Sequence, residues 1–283
     1  MAEIQPFRAL RFTERAGDIA SLVCPPRGAA GKEERRALLQ KNLYNIVRLE
    51  LPQEGDDPCA AAGATPHRWI SGGILRRDTD PGFYLYEKEF SFHGQIIKVR
   101  GIFCLARPKE LSLETVTQPY GETILKAKQD RLRLTEATAC EFSPVCAFYE
   151  DKNHATRDRL DALSSGKPRY EFRKSDATHR LWLINDPVVI RAIQEDFTDR
   201  ELRPADGEFR YETAPASCFH RRELGNAAGG EACVMMFLID RETVCPEAQP
   251  ITGGAAGTEE RMPQEAISFF QKPVLGLIIN PMD

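Results

Sequence analysis

Several things are scarce in this sequence, and each scarcity excludes something. The apolar run "VMMFLI" (234–239) is far short of the roughly 20 residues a helix needs to cross a bilayer. The opening "MAEIQPFRALRF" carries Glu3, Arg8 and Arg11 where a secretion signal would have an apolar core, so no export is expected. No C-x-x-C pair exists among the eight cysteines, and the closest two, Cys140 and Cys146, are spaced too widely for a zinc knuckle. Cys104 in "GIFCLA" and Cys146 in "PVCAFY" lie inside apolar runs, the pattern of reduced packing thiols in a cytoplasmic protein. The five histidines (His67, His93, His154, His179 and His220) never pair at ligand spacing, so no metal is expected. G-x-S-x-G, Walker-type and G-x-G-x-x-G loops are missing. Neither sign of charge dominates: 38 basic against 42 acidic residues give a net charge of −4 and no electrostatic reason to expect a nucleic-acid partner. A local basic groove stays open, because net charge says nothing about distribution.

What is present belongs to a soluble globular chain. At 283 residues with 42% hydrophobic content it can bury one large core or two ordinary ones. "EERRALLQKN" (33–42) has the pattern of a short helix, and "YNIVRLEL" (44–51) alternates like a strand. In "TPHRWISGG" (65–73), Thr65 is placed to cap a helix with Pro66 at its first position. Two aromatic and aliphatic runs meeting at His93-Gly94 predict a long hairpin over 83–106. A charged helix over 124–138, a buried strand after Pro144 and a polar helix over 153–163 follow. Next come the strands "RYEFR" and "HRLWLIN". "NDPVVIRAIQEDF" is a well-signed helix: Asp186 caps it, Pro187 opens it, and Val189, Ile193 and Phe197 share a face. After a strand-like segment closed by Asp206 come "CVMMFLID" and a last strand, "VLGLIINP". The irregular alternation predicts an α+β (mixed α/β) fold, a mixed sheet with a long hairpin and packed helices. Residues 1–246 would be the main domain, 247–262 a Gly/Ala-rich connecting loop, and 263–283 a strand segment returning to the main sheet.

The stretch "ADGEFRYETAP" (205–215) poses the functional question. Asp-Gly closes the strand and Arg210 follows three residues after Gly207, as where a chain turns into a helix whose N-terminus holds a phosphate. The runs "IQPFRALRF", "YNIVRLELP", "KAKQDRLRLTEAT", "THRLWLINDPVVIRAIQ", "ADGEFRYETA" and "RMPQEAISFFQKPVLGLIINP" together resemble domain-of-unknown-function family 1015, in order and almost from end to end. The family's A-D-G-H-H-R-Y-E-T-A stretch looks like the phosphate turn of the ParB and sulfiredoxin superfamily, which includes a free serine kinase. The resemblance implies a ParB/sulfiredoxin-like portion around residues 206–213. There Asp206, Gly207, Arg210, Tyr211 and Thr213 would hold a phosphate or nucleotide, ATP or ADP with Mg²⁺. The family's D-R pair, here Asp130-Arg131, looks like part of a polar cleft, a secondary cleft that would also take Thr123, Lys126 and Lys128; a nucleotide-dependent enzyme would use Glu122 or Glu208 as base or metal ligand.

Departures from the family pattern fall on those same places. Glu208 and Phe209 stand where the family has two histidines, and Pro25-Pro26-Arg27-Gly28 replaces P-P-Y-D. Pro119-Tyr120-Gly121-Glu122-Thr123 replaces P-H-E-x-T. "ITGGAAGTEE" leads straight to "RMPQEAISFFQK", where the family continues through a long block, so a second copy of the chain or another partner is a candidate to cover apolar surface. A carboxylate about 4 Å from a bound anion repels it by about 4 kcal/mol at an effective dielectric near 20. Pro215 would cost a continuing helix about 3 kcal/mol. Locally, Asp206 also fits a plain N-cap with Glu208 as a first-turn acid. "ETILKAKQDRLRL" equally fits a solvated charged helix anchored by Ile124, Leu132 and Leu134. Two functions follow: a non-catalytic relative binding a small molecule or protein through a rewritten cleft, which damage confined to the site favours, and a nucleotide-dependent phosphotransferase acting on a small molecule.

Overall fold

A computed structural model describes residues 3–25, 31–53, 55–92, 95–106, 122–174, 176–206 and 233–244. In chain order the strands are β1 (Ile4–Gln5), β2 (Leu10–Phe12), β3 (Leu75–Arg77), β4 (Phe83–Phe92), β5 (Gln95–Ala106), β6 (Val145–Tyr149), β7 (Tyr170–Lys174), β8 (Ala177–Ile184), β9 (Arg203–Asp206) and β10 (Val234–Asp240). The helices are α1 (Ile19–Leu22), α2 (Lys32–Lys41), α3 (Val47–Glu50), α4 (Pro58–Gly63), α5 (Thr65–Ser71), α6 (Glu122–Thr138), α7 (Ala155–Ser164), α8 (Pro187–Phe197) and α9 (Arg241–Val244), with a 3-10 turn at Glu14–Ala16. This is the expected α+β fold with a mixed sheet. Among the described residues eight strands form the main sheet, in the order β7-β8-β4-β5-β10-β6-β9 with β1 added to the end of β5, and of their pairings only β6 with β10 is parallel.

The sheet follows from strict alternation in its strands. Phe83 and Leu85 of β4, Ile102 and Cys104 of β5, and Met236 and Leu238 of β10 bury one face against Leu160 of α7 and Ile193 and Phe197 of α8. Tyr84, Tyr86, Phe103, Met235, Phe237 and Ile239 fill the other face. Gly101 makes room there: a Cβ on it would lie 2.4 Å from the Leu238 carbonyl oxygen and 2.6 Å from the Phe237 ring. Cys104 and Cys146 are buried in this sheet, and none of the six described cysteines is in a disulfide.

A second core gathers around the small β2–β3 sheet and is closed by Leu22, Ile46, Leu49, Trp69, Leu134 and Phe142. It is joined to the main sheet by a buried polar link. Asp78 accepts from Arg11 Nε (2.7 Å) and Tyr84 Oη (2.6 Å), and Arg11 Nη1 donates to Tyr170 Oη (2.7 Å). Burial works against the Arg11 charge, but its hydrogen bonds to Asp78 and the field of Tyr170 more than offset this, so its pKa is raised.

Two local expectations are corrected. "YNIVRLEL" contains the helix α3, not a strand: the Asn45 side chain accepts from Val47 N–H (2.9 Å) and starts the turn. Ile46, Val47, Leu49 and Glu50 are all buried, so the apparent alternation marks no exposed face. Thr65 is the first residue of α5 and not its cap. Ala64 is helical at φ −78°, ψ −10°, and directly links α4 to α5, so no extended residue precedes Thr65. The other helix signals hold: Asp186 accepts from Val188 N–H (2.8 Å) ahead of Pro187, and Ile193 and Phe197 are buried. Of the hairpin, β4 and β5 pair from Tyr84↔Phe103 to Phe92↔Gln95, while His93-Gly94 lies outside the described residues. The 247–262 loop and the 263–283 strand also lie outside them. Among the described residues no helix is long and apolar enough to cross a membrane.

Candidate functional site

The strand before "ADG" is β9, an edge strand that tolerates Pro204 because one side of its backbone needs no ladder partner. It runs antiparallel to β6 with Asp206 opposite Cys146, and the register slips between Cys146 and Ala147. Beside it β10 runs parallel to β6, with Met236 opposite Val145. The end of β9 and the starts of β6 and β10 therefore share one edge of the sheet. The segment leading from α6 into β6 passes over this edge. There Glu141 accepts from the Met235 backbone N–H through Oε2 (3.1 Å).

A charged cluster closes behind that edge. Glu50, the last residue of α3, is completely buried. Its Oε1 accepts from Arg131 Nη1 (2.9 Å) and from Ser143 Oγ (2.8 Å). Its Oε2 has no hydrogen-bond partner among the described residues. Arg131 is only 11% exposed, so this helix does not simply turn a solvated face here. Its apolar anchor is Leu134, buried, with Leu132 half-buried, whereas the side chain of Ile124 lies outside the described residues. Cys24, next to the Pro-Pro-Arg-Gly segment, has its pKa raised by burial and by the field of Glu50. Burial pushes the Cys140 thiol up to about 12. Neither cysteine is a thiolate nucleophile at neutral pH.

Asp206 thus ends β9 at this edge, whereas Asp130 and Arg131 lie on α6, which is tied through Arg131 and Glu50 to Ser143 in the segment before β6. Asp130 contributes its carbonyl oxygen, 3.8 Å from Cys59 Sγ. Positions 122, 123, 126 and 128 form the first two turns of α6, with side chains outside the described residues. Position 122 is about 14 Å along the helix from position 131 and half a turn round it. Gly207, Glu208, Arg210, Tyr211 and Thr213, and the side chain of Asp206, lie outside the described residues. Sequence reasoning missed Glu50, Glu141 and Ser143. A carboxylate ending the apolar "NIVRLE" run was the available signal for Glu50.

The opposite ends of β6 and β10 carry a different cluster. Arg200 bonds Asp151 (2.5 Å), Arg157 bonds Asp240 and Glu242, and Arg159 bonds Asp196 (3.2 Å). A cavity of about 770 Å³ opens beside it, with acids and bases nearly balanced on its walls. Among the described residues no group of three His, Cys, Asp or Glu side chains is placed to hold a metal ion.

The family model described as "Protein of unknown function (DUF1015)" matches residues 4–246. The chain belongs to this family. The match spans every described element, including the Asp206 edge and the Glu50–Arg131 cluster. No curated protein and no solved structure matches this DUF1015 chain.

Proposed function

We propose that this DUF1015 member is a binding protein rather than a catalyst, holding a small molecule or a protein at the polar cleft beside Asp206. The closed Glu50–Arg131–Ser143 cluster carries the reading. Phosphoryl transfer needs cations free to meet charge on the transferring oxygens and a base within hydrogen-bond reach of the nucleophile. Arg131 is instead committed to an internal carboxylate, and that carboxylate is fully buried, away from any dissolved nucleophile. The sequence changes run the same way, with Glu208 and Phe209 in place of two histidines on a turn that resembles the ParB and sulfiredoxin phosphate turn.

The test is a thermal-shift screen with ATP, ADP and CTP, with and without Mg²⁺, beside a phosphotransfer assay on the same samples. A ligand at 100 times its Kd stabilises the fold by about 2.7 kcal/mol, well within detection. Nucleotide-dependent stabilisation without turnover, lost in Arg210→Ala, fits binding at this cleft. Turnover that disappears in Arg210→Ala overturns the proposal in favour of a nucleotide-dependent phosphotransferase.

A further inference from the structure

A separate cavity of about 670 Å³ opens where the β2–β3 sheet meets the start of β7. Four arginines line it, Arg11, Arg15, Arg76 and Arg169, against a single acid, Glu14. In a chain whose net charge is −4, that is a local reversal of sign.

The arginines are positioned by the backbone. Arg11 and Arg76 face each other directly across the antiparallel β2–β3 pair, an arrangement that destabilises a sheet unless something opposes the repulsion. Asp78 balances Arg11, which with Tyr170 forms a satisfied floor. Arg76 has no such counter-ion: among the described residues Arg15, Arg76 and Arg169 make no ion pair. Arg15 lies over Gly73, where φ is +68° and a Cβ would sit 3.0 Å from its Nη1. Arg169 is set by its backbone N–H, which donates to the Leu181 carbonyl at 2.7 Å just ahead of β7. Three uncompensated guanidinium groups therefore border one concavity of small-molecule size, with the Tyr170 and Phe12 rings as apolar wall. The balanced cavity at the far ends of β6 and β10 has nothing comparable, because its arginines are paired.

We propose that this cavity is a binding site for a small polyanion, an inorganic or organic phosphate carrying at least two negative charges. Guanidinium groups suit this class because their planar donors match phosphate oxygens in pairs. The bounded volume and the acid on its wall favour a compact ligand over a long nucleic-acid strand. The site is independent of the reading given for the Asp206 cleft.

Isothermal titration of the full chain with inorganic pyrophosphate tests it. The expected result is saturable one-to-one binding that weakens with added salt and falls about tenfold or more in Arg76→Ala and in Arg169→Ala. Both side chains are exposed, so an unchanged melting temperature separates lost binding from lost folding. Arg203→Ala/Arg241→Ala, in the balanced cavity, should bind as the unaltered chain does. Absence of pyrophosphate binding, or binding that survives Arg76→Ala/Arg169→Ala, overturns the proposal. Loss of binding in Arg210→Ala alone moves the anion to the other cleft and also overturns it. Tighter binding of a single-stranded RNA oligomer than of pyrophosphate, through the same arginines, overturns the small-ligand assignment.

Discussion

Lowering the pH from 7.5 to 5.0 should remove about 2 kcal/mol of folding stability at one residue, His179. This imidazole is 2% exposed, stacked on the Phe172 ring at 4.8 Å and bonded at both nitrogens. The Lys174 carbonyl is 3.4 Å from Nε2, and a carbonyl only accepts, so Nε2 carries the proton. In the neutral ring Nδ1 then accepts from Tyr86 Oη at 2.7 Å. Burial, with smaller contributions from the fields of Lys88 and Lys174, pulls its pKa from 6.5 down to about 4. The folded state therefore refuses a proton that the unfolded chain accepts. The stability is fully present above pH 6.5 and is lost as pH falls toward 4, at up to about 1.4 kcal/mol per pH unit. Urea unfolding at both pH values, for the unaltered chain and for His179→Gln, isolates the contribution, because every other titrating group is common to both. The unaltered chain should lose about 2 kcal/mol more than the variant over this interval. Equal losses in the two proteins would refute the neutral buried ring.

Three further outcomes follow from packing and capping. Gly101→Ala should destabilise the chain by about 3 kcal/mol or more, since its Cβ would collide with the Leu238 carbonyl and the Phe237 ring; chemical denaturation reads this directly. Arg131→Ala should cost about 3–5 kcal/mol by stranding the buried Glu50 carboxylate, and Arg131→Ala/Glu50→Gln should recover a measurable part of it in the same assay. Asp186→Ala removes the side-chain cap of α8 and should cost about 1 kcal/mol, seen as a lower urea midpoint with unchanged slope.

The parts legible in the sequence were those whose local signals all point the same way. The hairpin announced itself because β4 and β5 are two long aromatic and β-branched runs that pair along their length, and α8 because cap, proline and apolar spacing agree. α3 was misread because a one-turn helix with three of its four residues buried is too short to report its period. Its start is set by Asn45, whose Nδ2 also donates to the Ser21 carbonyl (2.7 Å), a contact between distant segments. The same holds at the candidate site. Asp206 and the Asp130-Arg131 pair stood out through their motifs, whereas Glu50 and Ser143 matter only because α3 and the segment before β6 meet in space. The four-arginine cavity was hidden for a related reason: Arg11, Arg15, Arg76 and Arg169 are spread over three chain segments, and the overall charge balance conceals them.

The position of β10 has a consequence for how the chain is made. This strand sits between β5 and β6, yet it comes after both, closer to the C-terminus than any other described strand. Until residues 234–240 leave the ribosome, β5 and β6 each present an open strand edge with apolar faces. The β7-β8-β4-β5 portion can already have paired by then, so the last strand closes a gap rather than extending a rim. Contacts this distant in sequence are slow to form, and open edges invite pairing with other chains. Chains interrupted before residue 234 should therefore accumulate as aggregates, and rapid refolding from dilute solution should depend on β10 finding its slot.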